Sequence, residues 1–348
     1  MPAPLSIAVV GAGLSGACAA FALARSGAHV DVFGDGGAAT PAGLVHPFTG
    51  RKPRPAWRFE ASMAAVEALT ADARARACLA PGVLRPARDA RQADAFRTLA
   101  GAHPAWTTWL PPAAARERFA AVEAPLGALW IPRGYAVDFG ALVGRLLAAA
   151  AEAGARLHRA PVAGLDAEPE GVRVVQDGGP SAGPYDRVLL CVGGGFERFS
   201  ALDGLGLHRI KGQTVLLERP PGLAPLPAVA GGGYVVETPG GVVAGSSYDH
   251  AFADLAPSDA VAAELQAKAA RLVPALGGAR VLGTAVGVRV TRPGRMPLLG
   301  PVAAGGRVWA FTALGSKGLL AAPLLAGWLP DALADPNVLP EEVRPSLR

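Results

Sequence analysis

Cysteine is scarce in this sequence: the 348 residues contain only three, Cys18, Cys78 and Cys191. A chain of this length can bury enough apolar surface to fold without disulfide bonds. The three cysteines show neither the paired spacing of a disulfide framework nor the close spacing of metal ligands. We therefore predict no disulfide bonds, no metal site and a reducing compartment.

Apolar runs long enough to cross a membrane are also lacking. Residues 2–24 carry no charge, but three glycines interrupt them and no basic segment precedes them, unlike a signal peptide. Of the remaining sequence, the longest apolar stretch, residues 318–329, is too short to span a bilayer. The sequence therefore predicts a cytoplasmic protein without a membrane segment.

The excess of positive charge is small, with 33 lysines and arginines against 28 acidic residues and a net charge of +5. One local concentration stands out, formed by Arg51, Lys52, Arg54 and Arg58 around Trp57. Such a segment can contact phosphate groups or an anionic substrate. It can equally be a solvated loop, and both interpretations stay open at this point.

Residues 7–35 form the strongest motif of the chain. An apolar strand pattern precedes Gly11, Gly13 and Gly16, which have the spacing G-x-G-x-x-G, and a helical and a second strand pattern follow. The first glycine permits a tight turn, the second lets the backbone approach a pyrophosphate, and the third permits close packing of helix on strand. The motif therefore predicts dinucleotide binding at the start of the helix. The alternative is an ordinary crossover between two strands.

An acidic residue at the end of the second strand commonly accepts hydrogen bonds from the adenosine ribose. Gly34 stands at that place here, and the acid, Asp35, comes one residue later. We predict this displaced Asp35 for the ribose contact.

The rest of the chain alternates between helical and strand patterns. Residues 36–57 have no regular pattern and are predicted as a long loop, and residues 58–79 as a helix. Residues 185–195 indicate a buried strand that ends in three glycines, and antiparallel strands follow from residue 207. The tail beyond residue 331 is expected to be loosely ordered.

Seven segments, spread over nearly the whole chain, together resemble the D-amino-acid-oxidase-like family of FAD-dependent oxidoreductases, which includes glycine oxidase and sarcosine oxidase. They are GAGLSG at 11–16, the small residues at 38–43, GYAVDFGALVGRLLAAAAEAGA at 134–155, YDRVLLCVGGG at 185–195, KGQTVLLE at 211–218, GVRVTRPGRMPLLGP at 287–301 and ALGSKGLLAAPLLAGWL at 313–329. The pattern at 314–325 is most similar to the FAD-dependent domain of the bacterial enzyme that matures 5-carboxymethylaminomethyl uridine in tRNA.

The resemblance implies an α/β fold in which a Rossmann-like FAD-binding domain is interleaved with an α+β substrate domain built on an antiparallel sheet. The FAD-binding domain would comprise residues 1–50, 131–205 and 285–335. The substrate domain would comprise residues 51–130 and 206–284.

The resemblance also implies which residues hold FAD. The glycine turn would hold the pyrophosphate, Val162 the adenine, and the helix start at 315–319 the flavin pyrimidine ring, where a positive helix end stabilises the reduced flavin. The whole set is Gly11, Gly13, Leu14, Ser15, Gly16, Asp35, Gly43, Leu44, Val162, Gly193, Gly194, Gly315, Ser316, Lys317, Gly318 and Leu319. Relatives with covalent flavin carry a cysteine just before the turn at 291–297, where this chain has none, so we expect dissociable FAD.

Four residues are candidates for the substrate site. Arg289 would hold a substrate carboxylate through its planar fork of donors, or it is part of a structural ion pair. Tyr234 is predicted as a hydrogen-bond partner of the substrate or as packing, and His46 as a base, a substrate contact or a loop histidine. Lys211 would place a cation near the flavin or is a surface lysine.

Three functions are compatible with these residues. The first is oxidation of the C–N bond of a small amino acid or secondary amine by hydride transfer to flavin N5. The second is removal of the carboxymethyl group from carboxymethylaminomethyl uridine, with tRNA as the partner. The third is flavin binding without catalysis. The oligomeric state has no signature in the sequence.

Overall fold

The computed structural model describes residues 4–36, 40–50 and 53–346. In these ranges none of the helices is long and apolar enough to cross a membrane. The helices are α1 (Leu14–Arg25), α2 (Phe59–Asp72), α3 (Ala90–Ala102), α4 (Pro112–Arg118), α5 (Phe139–Glu152), α6 (Asp259–Leu272) and α7 (Gly318–Ala334).

Twenty strands and several short 3-10 turns complete the described structure. The strands are β1 (Ser6–Val10), β2 (His29–Phe33), β3 (Ala42–Val45), β4 (Phe48–Thr49), β5 (Arg54–Pro55), β6 (Cys78–Pro86), β7 (Thr108–Leu110), β8 (Ala128–Asp138), β9 (Arg156–His158), β10 (Val162–Glu168), β11 (Gly171–Gln176), β12 (Ala182–Tyr185), β13 (Arg187–Leu190), β14 (His208–Leu217), β15 (Ala228–Ala230), β16 (Tyr234–Thr238), β17 (Gly241–Gly245), β18 (Val281–Thr291), β19 (Leu298–Ala303) and β20 (Val308–Thr312).

A six-stranded sheet carries the N-terminal motif, with strand order β19-β20-β13-β1-β2-β9. All neighbours are parallel except the edge pair β19 and β20. The central strand β1 is buried on both faces, because the helices α1, α5 and α7 cover one face and a three-stranded sheet, β10-β11-β12, covers the other. Helix α1 packs against both α5 and α7, and its alanine-rich sequence buries nine of twelve residues, which permits this close packing.

A second, nine-stranded sheet has the order β18-β14-β17-β16-β15-β6-β8-β3, with β7 paired to β8. Its neighbours are antiparallel apart from β15 and β6. The central strand β16 lies near the edge strand β3, since the hydroxyl of Tyr234 in β16 donates a hydrogen bond to the carbonyl of Ala42 in β3 at 3.3 Å. The prediction of an α/β fold with a parallel sheet and an antiparallel sheet is confirmed. The exact domain boundaries stay a prediction, and β8 straddles one of them.

Two local predictions were wrong. The supposed loop 36–57 contains β3, β4 and β5 within its described residues, because the short run at 42–45 pairs antiparallel with β8, Ala42 opposite Asp138. The helix expected over 58–79 ends at Asp72, and β6 begins at Cys78. In both places tertiary strand pairing decides the structure, since the local sequence of small residues fits several conformations.

The tail is ordered, contrary to the prediction. Helix α7 continues to Ala334, and two 3-10 turns then bury Leu339 and Val343 completely. Arg292 ties down the tail, because its guanidinium donates to the carbonyls of Glu342 at 2.7 Å and Arg344 at 3.4 Å. Buried aliphatic side chains outweigh the polar composition of this segment.

Leu339→Ala should lower the free energy of unfolding by about 3 kcal/mol, because it removes a side chain that is 1% exposed from the core. The neighbouring Val338 is 52% exposed, so Val338→Ala should change stability by less than about 0.5 kcal/mol. Denaturant unfolding of both variants measures the difference. Equal effects would mean that the tail is not packed as described.

Candidate active site

Two glycines of the turn between β1 and α1, Gly11 and Gly16, stand where no side chain fits. Gly11 has φ +107°, and a Cβ there would lie 2.4 Å from the carbonyl oxygen of Cys191. A Cβ on Gly16 would lie 1.7 Å from the carbonyl oxygen of Gly11. These two glycines therefore let α1, the turn and the end of β13 touch backbone to backbone.

Gly13 differs from these two glycines, because a Cβ added to it would meet no atom within 4 Å. Gly13 is the N-cap of α1, and no side chain caps the helix there. The uncapped start of α1 therefore adjoins open space beside Gly13. Such a space fits an anionic group that accepts hydrogen bonds from a helix N-terminus.

Helix α7 begins beside the same space. A Cβ on Gly318, its first residue, would lie 3.4 Å from Leu14, the first residue of α1. A Cβ on Gly43 in β3 would lie 2.5 Å from Leu319. Neither helix start has a side-chain cap, and thus two positive helix ends lie at one site.

The positions of the other predicted cofactor residues differ in how directly they adjoin this space. Gly34 follows β2 and lies against the glycine turn, since its Cβ position is 3.0 Å from the amide nitrogen of Ala12, and Asp35 is exposed just beyond it. Val162 is buried at the start of β10. Gly193 has φ +50° and open space beside it, and Gly194 lies against Val288 of β18.

The remaining members of the set complete the same region. Ser15 is buried, Leu44 follows Gly43 in β3, Gly315 has φ +55° and donates its N–H to the carbonyl of Val290 at 2.8 Å, and Ser316 and Lys317 are exposed before α7. The Gly315 bond joins the start of α7 to the end of β18. The strand that carries Arg289 therefore ends beside the start of α7, where we expect the cofactor.

Arg289 is half-buried and has no acidic partner among the ion pairs of the described residues. Its Nη2 donates to the hydroxyl of Ser246, its Nη1 donates to the carbonyl of Ser247 at 3.3 Å, and its guanidinium lies 4.4 Å from the ring centre of Tyr248. A Cβ on Gly212 would lie 2.3 Å from Nη1. The missing side chain at Gly212 thus makes room for the guanidinium.

Tyr234 lies next to this cluster. Its ring covers Gly245, whose Cβ position is 2.9 Å from the ring, and burial of the phenol raises the pKa of Tyr234. Its hydroxyl reaches Ala42, one residue before Gly43. Tyr234 therefore connects the Arg289 cluster with the strand that contacts the start of α7.

Lys211 points elsewhere. Ile210 is directly opposite Arg289 in the antiparallel pair and Lys211 is opposite Val288, so Lys211 and Arg289 lie on different faces of the sheet. The ammonium of Lys211 donates to the carbonyl of Ala256 at 2.7 Å. These contacts favour the structural interpretation, and a flavin contact of Lys211 stays an untested prediction.

His46 is 6% exposed, and its Nδ1 has no hydrogen-bond partner. Burial and the nearby Arg85 lower the pKa of His46 to about 3. The ring is therefore neutral at physiological pH and a weak base. The low pKa argues against a role as base, and a substrate contact of His46 stays a prediction.

Arg85, in β6, was missed by the sequence analysis. It is 6% exposed, donates to the carbonyls of Phe48 and of Gly50, and lies 5.1 Å from the ring centre of Phe96, while its Nε has no partner. The sequence feature that could have revealed Arg85 is the position of an arginine inside the apolar run of a strand. Tyr248 and Ser246 were also missed, because they follow β17 without any recognisable motif.

Comparison with known proteins identifies the family. The family described as FAD dependent oxidoreductase (DAO) matches residues 6–332. The chain belongs to this family. It is therefore an FAD-dependent oxidoreductase, and the glycine turn with its open space at Gly13 fits the FAD pyrophosphate.

Two kinds of relatives in this DAO family have similar sequences. The tRNA 5-methylaminomethyl-2-thiouridine biosynthesis bifunctional protein MnmC of Maricaulis maris (strain MCS10) is 30% identical over 327 residues, which are 92% of this chain and 50% of that protein. Glycine oxidase of Pseudomonas aeruginosa is 29% identical over 170 residues, or 47% of this chain and 46% of that enzyme. The chain thus spans about half the length of the curated relatives it matches.

Solved structures share the fold over nearly the whole chain. Glycine oxidase from Geobacillus kaustophilus has a TM-score of 0.82 and 24% identity, covering 96% of this chain and 95% of that one. Iminodiacetate oxidase from Chelativorans sp. BNC1 has a TM-score of 0.80 and 24% identity, covering 98% of this chain and 100% of that one. At these identities the likeness establishes the DAO fold and leaves the substrate open.

Gly13→Ala should raise the dissociation constant for FAD about tenfold or more, because the new methyl group enters the space assigned to the pyrophosphate. Since that methyl group meets no protein atom within 4 Å, the apoprotein should lose only about 0.5–1 kcal/mol. Gly144→Ala is the matched control, because Gly144 lies exposed in α5 with equal free space. Flavin fluorescence titration and unfolding of the apoprotein measure both quantities, and unchanged FAD affinity would contradict the assignment.

His46 should make stability depend on acidic pH. Its folded pKa is lowered to about 3, so the unfolded chain binds an extra proton once the pH falls below about 6.5, and stability present above that pH is lost as the pH falls toward 3. Between pH 7 and 5 the wild type should lose about 2 kcal/mol more than His46→Gln, which cannot be protonated. If the stabilities of the two proteins depend on pH in the same way, folding does not lower the pKa of His46.

Proposed function

We propose that this FAD-dependent oxidoreductase oxidises the C–N bond of an amino acid or of an N-substituted glycine, and that the FAD is not covalently bound. The half-buried Arg289 guanidinium, which no acidic side chain among the described residues neutralises, is the observation that carries the proposal. Arginine binds carboxylates through two parallel hydrogen bonds. A substrate carboxylate would supply the missing negative charge.

The residues of the chain have distinct roles in this proposal. FAD held at the glycine turn would supply a hydride acceptor for the carbon beside the amine nitrogen, and the imine that the substrate would become would then be hydrolysed by water. Arg289 would fix the carboxylate, and Tyr234 would limit how far the substrate can move toward β3. The task of the protein is therefore to orient the substrate, and no acid–base pair is required.

Removal of the carboxymethyl group from carboxymethylaminomethyl uridine in tRNA is the second candidate. It is supported by the MnmC relative, which is 30% identical over 92% of this chain. Exposed arginines at 54 and 58 lie in the basic segment, with Arg58 stacked 5.0 Å from the ring centre of Trp57. Arg51 and Lys52 of that segment lie outside the described residues. The substrate group is again an N-substituted glycine, so the same Arg289 would serve both functions.

No contact among the described residues favours the third hypothesis, flavin binding without catalysis. The cytoplasmic location remains part of the proposal, supported by three cysteines that form no disulfide bonds.

Arg289→Met should lower kcat/KM for the best substrate about a hundredfold or more, because a charge-assisted pair with the carboxylate is lost, while the visible spectrum still shows bound FAD. Arg280→Met is the matched control: Arg280 precedes the same strand and pairs with Glu218 on the surface at 3.3 Å. It should leave kcat/KM within about twofold. Equal kinetics of wild type and Arg289→Met would contradict the carboxylate role.

Anaerobic bleaching of the flavin separates the candidates in the same experiment. Glycine, sarcosine, proline and D-amino acids test the first function, and the carboxymethylaminomethyl uridine nucleoside and modified tRNA test the second. Flavin that stays oxidised with every compound would favour binding without catalysis.

A further inference from the structure

We infer that His158 is a further FAD-binding residue, which accepts a hydrogen bond from the adenosine ribose in place of the acid that usually ends the second strand of a dinucleotide-binding motif. Because this contact involves the cofactor alone, it is independent of the proposed substrate. The observations that lead to it begin at Gly34, which stands at the position of the usual acid.

Position 34 has no room for an acidic side chain. Its φ is +141°, which favours glycine, and a Cβ there would lie 3.0 Å from the amide nitrogen of Ala12 in the glycine turn. Asp35 follows one residue later and is exposed. A hydrogen-bond acceptor for the ribose must therefore come from Asp35 or from a neighbouring strand.

His158 is the last residue of β9, the strand that pairs with β2. It lies directly opposite Phe33, and its carbonyl accepts a hydrogen bond of 2.9 Å from the amide of Gly34. The two strands are parallel, so these residues stand at the carboxyl edge of the sheet, where nucleotides bind. Gly34 thus contacts both His158 and the turn assigned to the pyrophosphate. The ribose, which is joined to the pyrophosphate, is expected beside them.

Two contacts fix the imidazole ring of His158. The ring stacks on Phe33, with the ring centres 4.8 Å apart and an angle of 15° between the planes. Its Nε2 lies 2.7 Å from one carboxylate oxygen of Asp31, while the hydroxyl of Tyr185 donates to the other oxygen at 3.0 Å. Asp31 is only 8% exposed, so a buried and oriented carboxylate holds the ring in place.

The carboxylate also decides which ring nitrogen carries the proton. An ionised carboxylate only accepts hydrogen bonds, so Nε2 of His158 is the donor, and Nδ1 of the neutral ring keeps a free lone pair. Arg156 lies 3.1 Å from the same oxygen of Asp31 and supplies it with a cation. The contact between Asp31 and His158 therefore does not require a charged imidazole.

The second nitrogen of His158 faces the nucleotide side of the sheet. Asp31 lies two residues before Phe33 in β2, so Nε2 is turned back along the strand, and Nδ1 is turned the other way, toward the carboxyl edge. The side chain is 37% exposed, and none of the hydrogen bonds among the described residues engages Nδ1. Nδ1 therefore offers a ribose hydroxyl the acceptor that position 34 cannot provide.

FAD analogues that lack one adenosine hydroxyl test this contact directly. In the wild type, replacing the contacted hydroxyl, the 2′ or the 3′, by hydrogen should raise the dissociation constant about three- to tenfold, because one hydrogen bond is lost. In His158→Phe, which keeps a ring against Phe33 but has no nitrogen, FAD and that analogue should bind equally well. Flavin fluorescence titration of the FAD-depleted chain measures these constants without turnover.

His29→Phe is the matched control, because His29 is exposed at the opposite end of β2. It should keep the wild-type preference for FAD over the analogue. Asp31→Asn is a second variant, which leaves His158 in place but removes the carboxylate that accepts from Nε2. The preference should shrink in this variant too, although Asp31 itself does not contact the cofactor.

Three results would overturn the role of His158. The first is a wild type that binds FAD and both analogues equally well. The second is a His158→Phe variant that binds all three more weakly by one common factor, since the histidine would then only support the strand. The third is a preference that Asp35→Asn abolishes and His158→Phe retains, because the displaced acid would then contact the ribose. These measurements use no amine, so the proposed function is tested separately.

Discussion

The backbone contact between the glycine turn and the end of β13 is the constraint on which the site depends. Gly11 and Gly16 leave no room for a Cβ, because the carbonyl oxygens of Cys191 and Gly11 lie within 2.4 and 1.7 Å of the positions it would take. This contact fixes how close the start of α1 lies to the end of β13. The contact of Leu14 with Gly318 then fixes the start of α7 beside it, so that two helix dipoles act on one space.

Glycines also make room for side chains at the proposed substrate site. Gly212 leaves space for the guanidinium of Arg289, and Gly245 leaves space for the ring of Tyr234. Glycine in a strand weakens the sheet locally, and its presence at these two positions is explained by the close approach of a functional side chain. The guanidinium and the phenol thus occupy space that a side chain would fill, as we propose for the FAD pyrophosphate beside Gly13.

The sequence predicted the parts of this design that local rules determine. The turn at Gly11–Gly16, the helix starts and the buried strand before Gly193 follow from spacing and periodicity within about thirty residues. Residues 42–45 show the limit, because AGLV becomes a strand only through its antiparallel partner Tyr135–Asp138, some ninety residues later in the chain. Tyr248 shows the same limit at the site, since only the pairing of Ser247 and Asp249 with β14 brings it to Arg289.

Arg85 and Arg289 differ in the surroundings of their charged groups. Two guanidinium nitrogens of Arg85 donate to the backbone carbonyls of Phe48 and Gly50, so Arg85 holds the segment that follows β3, and its charge also lowers the pKa of His46. Arg289 is held by a serine hydroxyl, one carbonyl and an aromatic face, partners that orient a guanidinium and leave its charge uncompensated. A cation prepared in this way has lost part of its hydration before any ligand arrives. Because Arg289 is only half-buried whereas Arg85 is 6% exposed, we propose Arg289 for the substrate carboxylate and a structural role for Arg85.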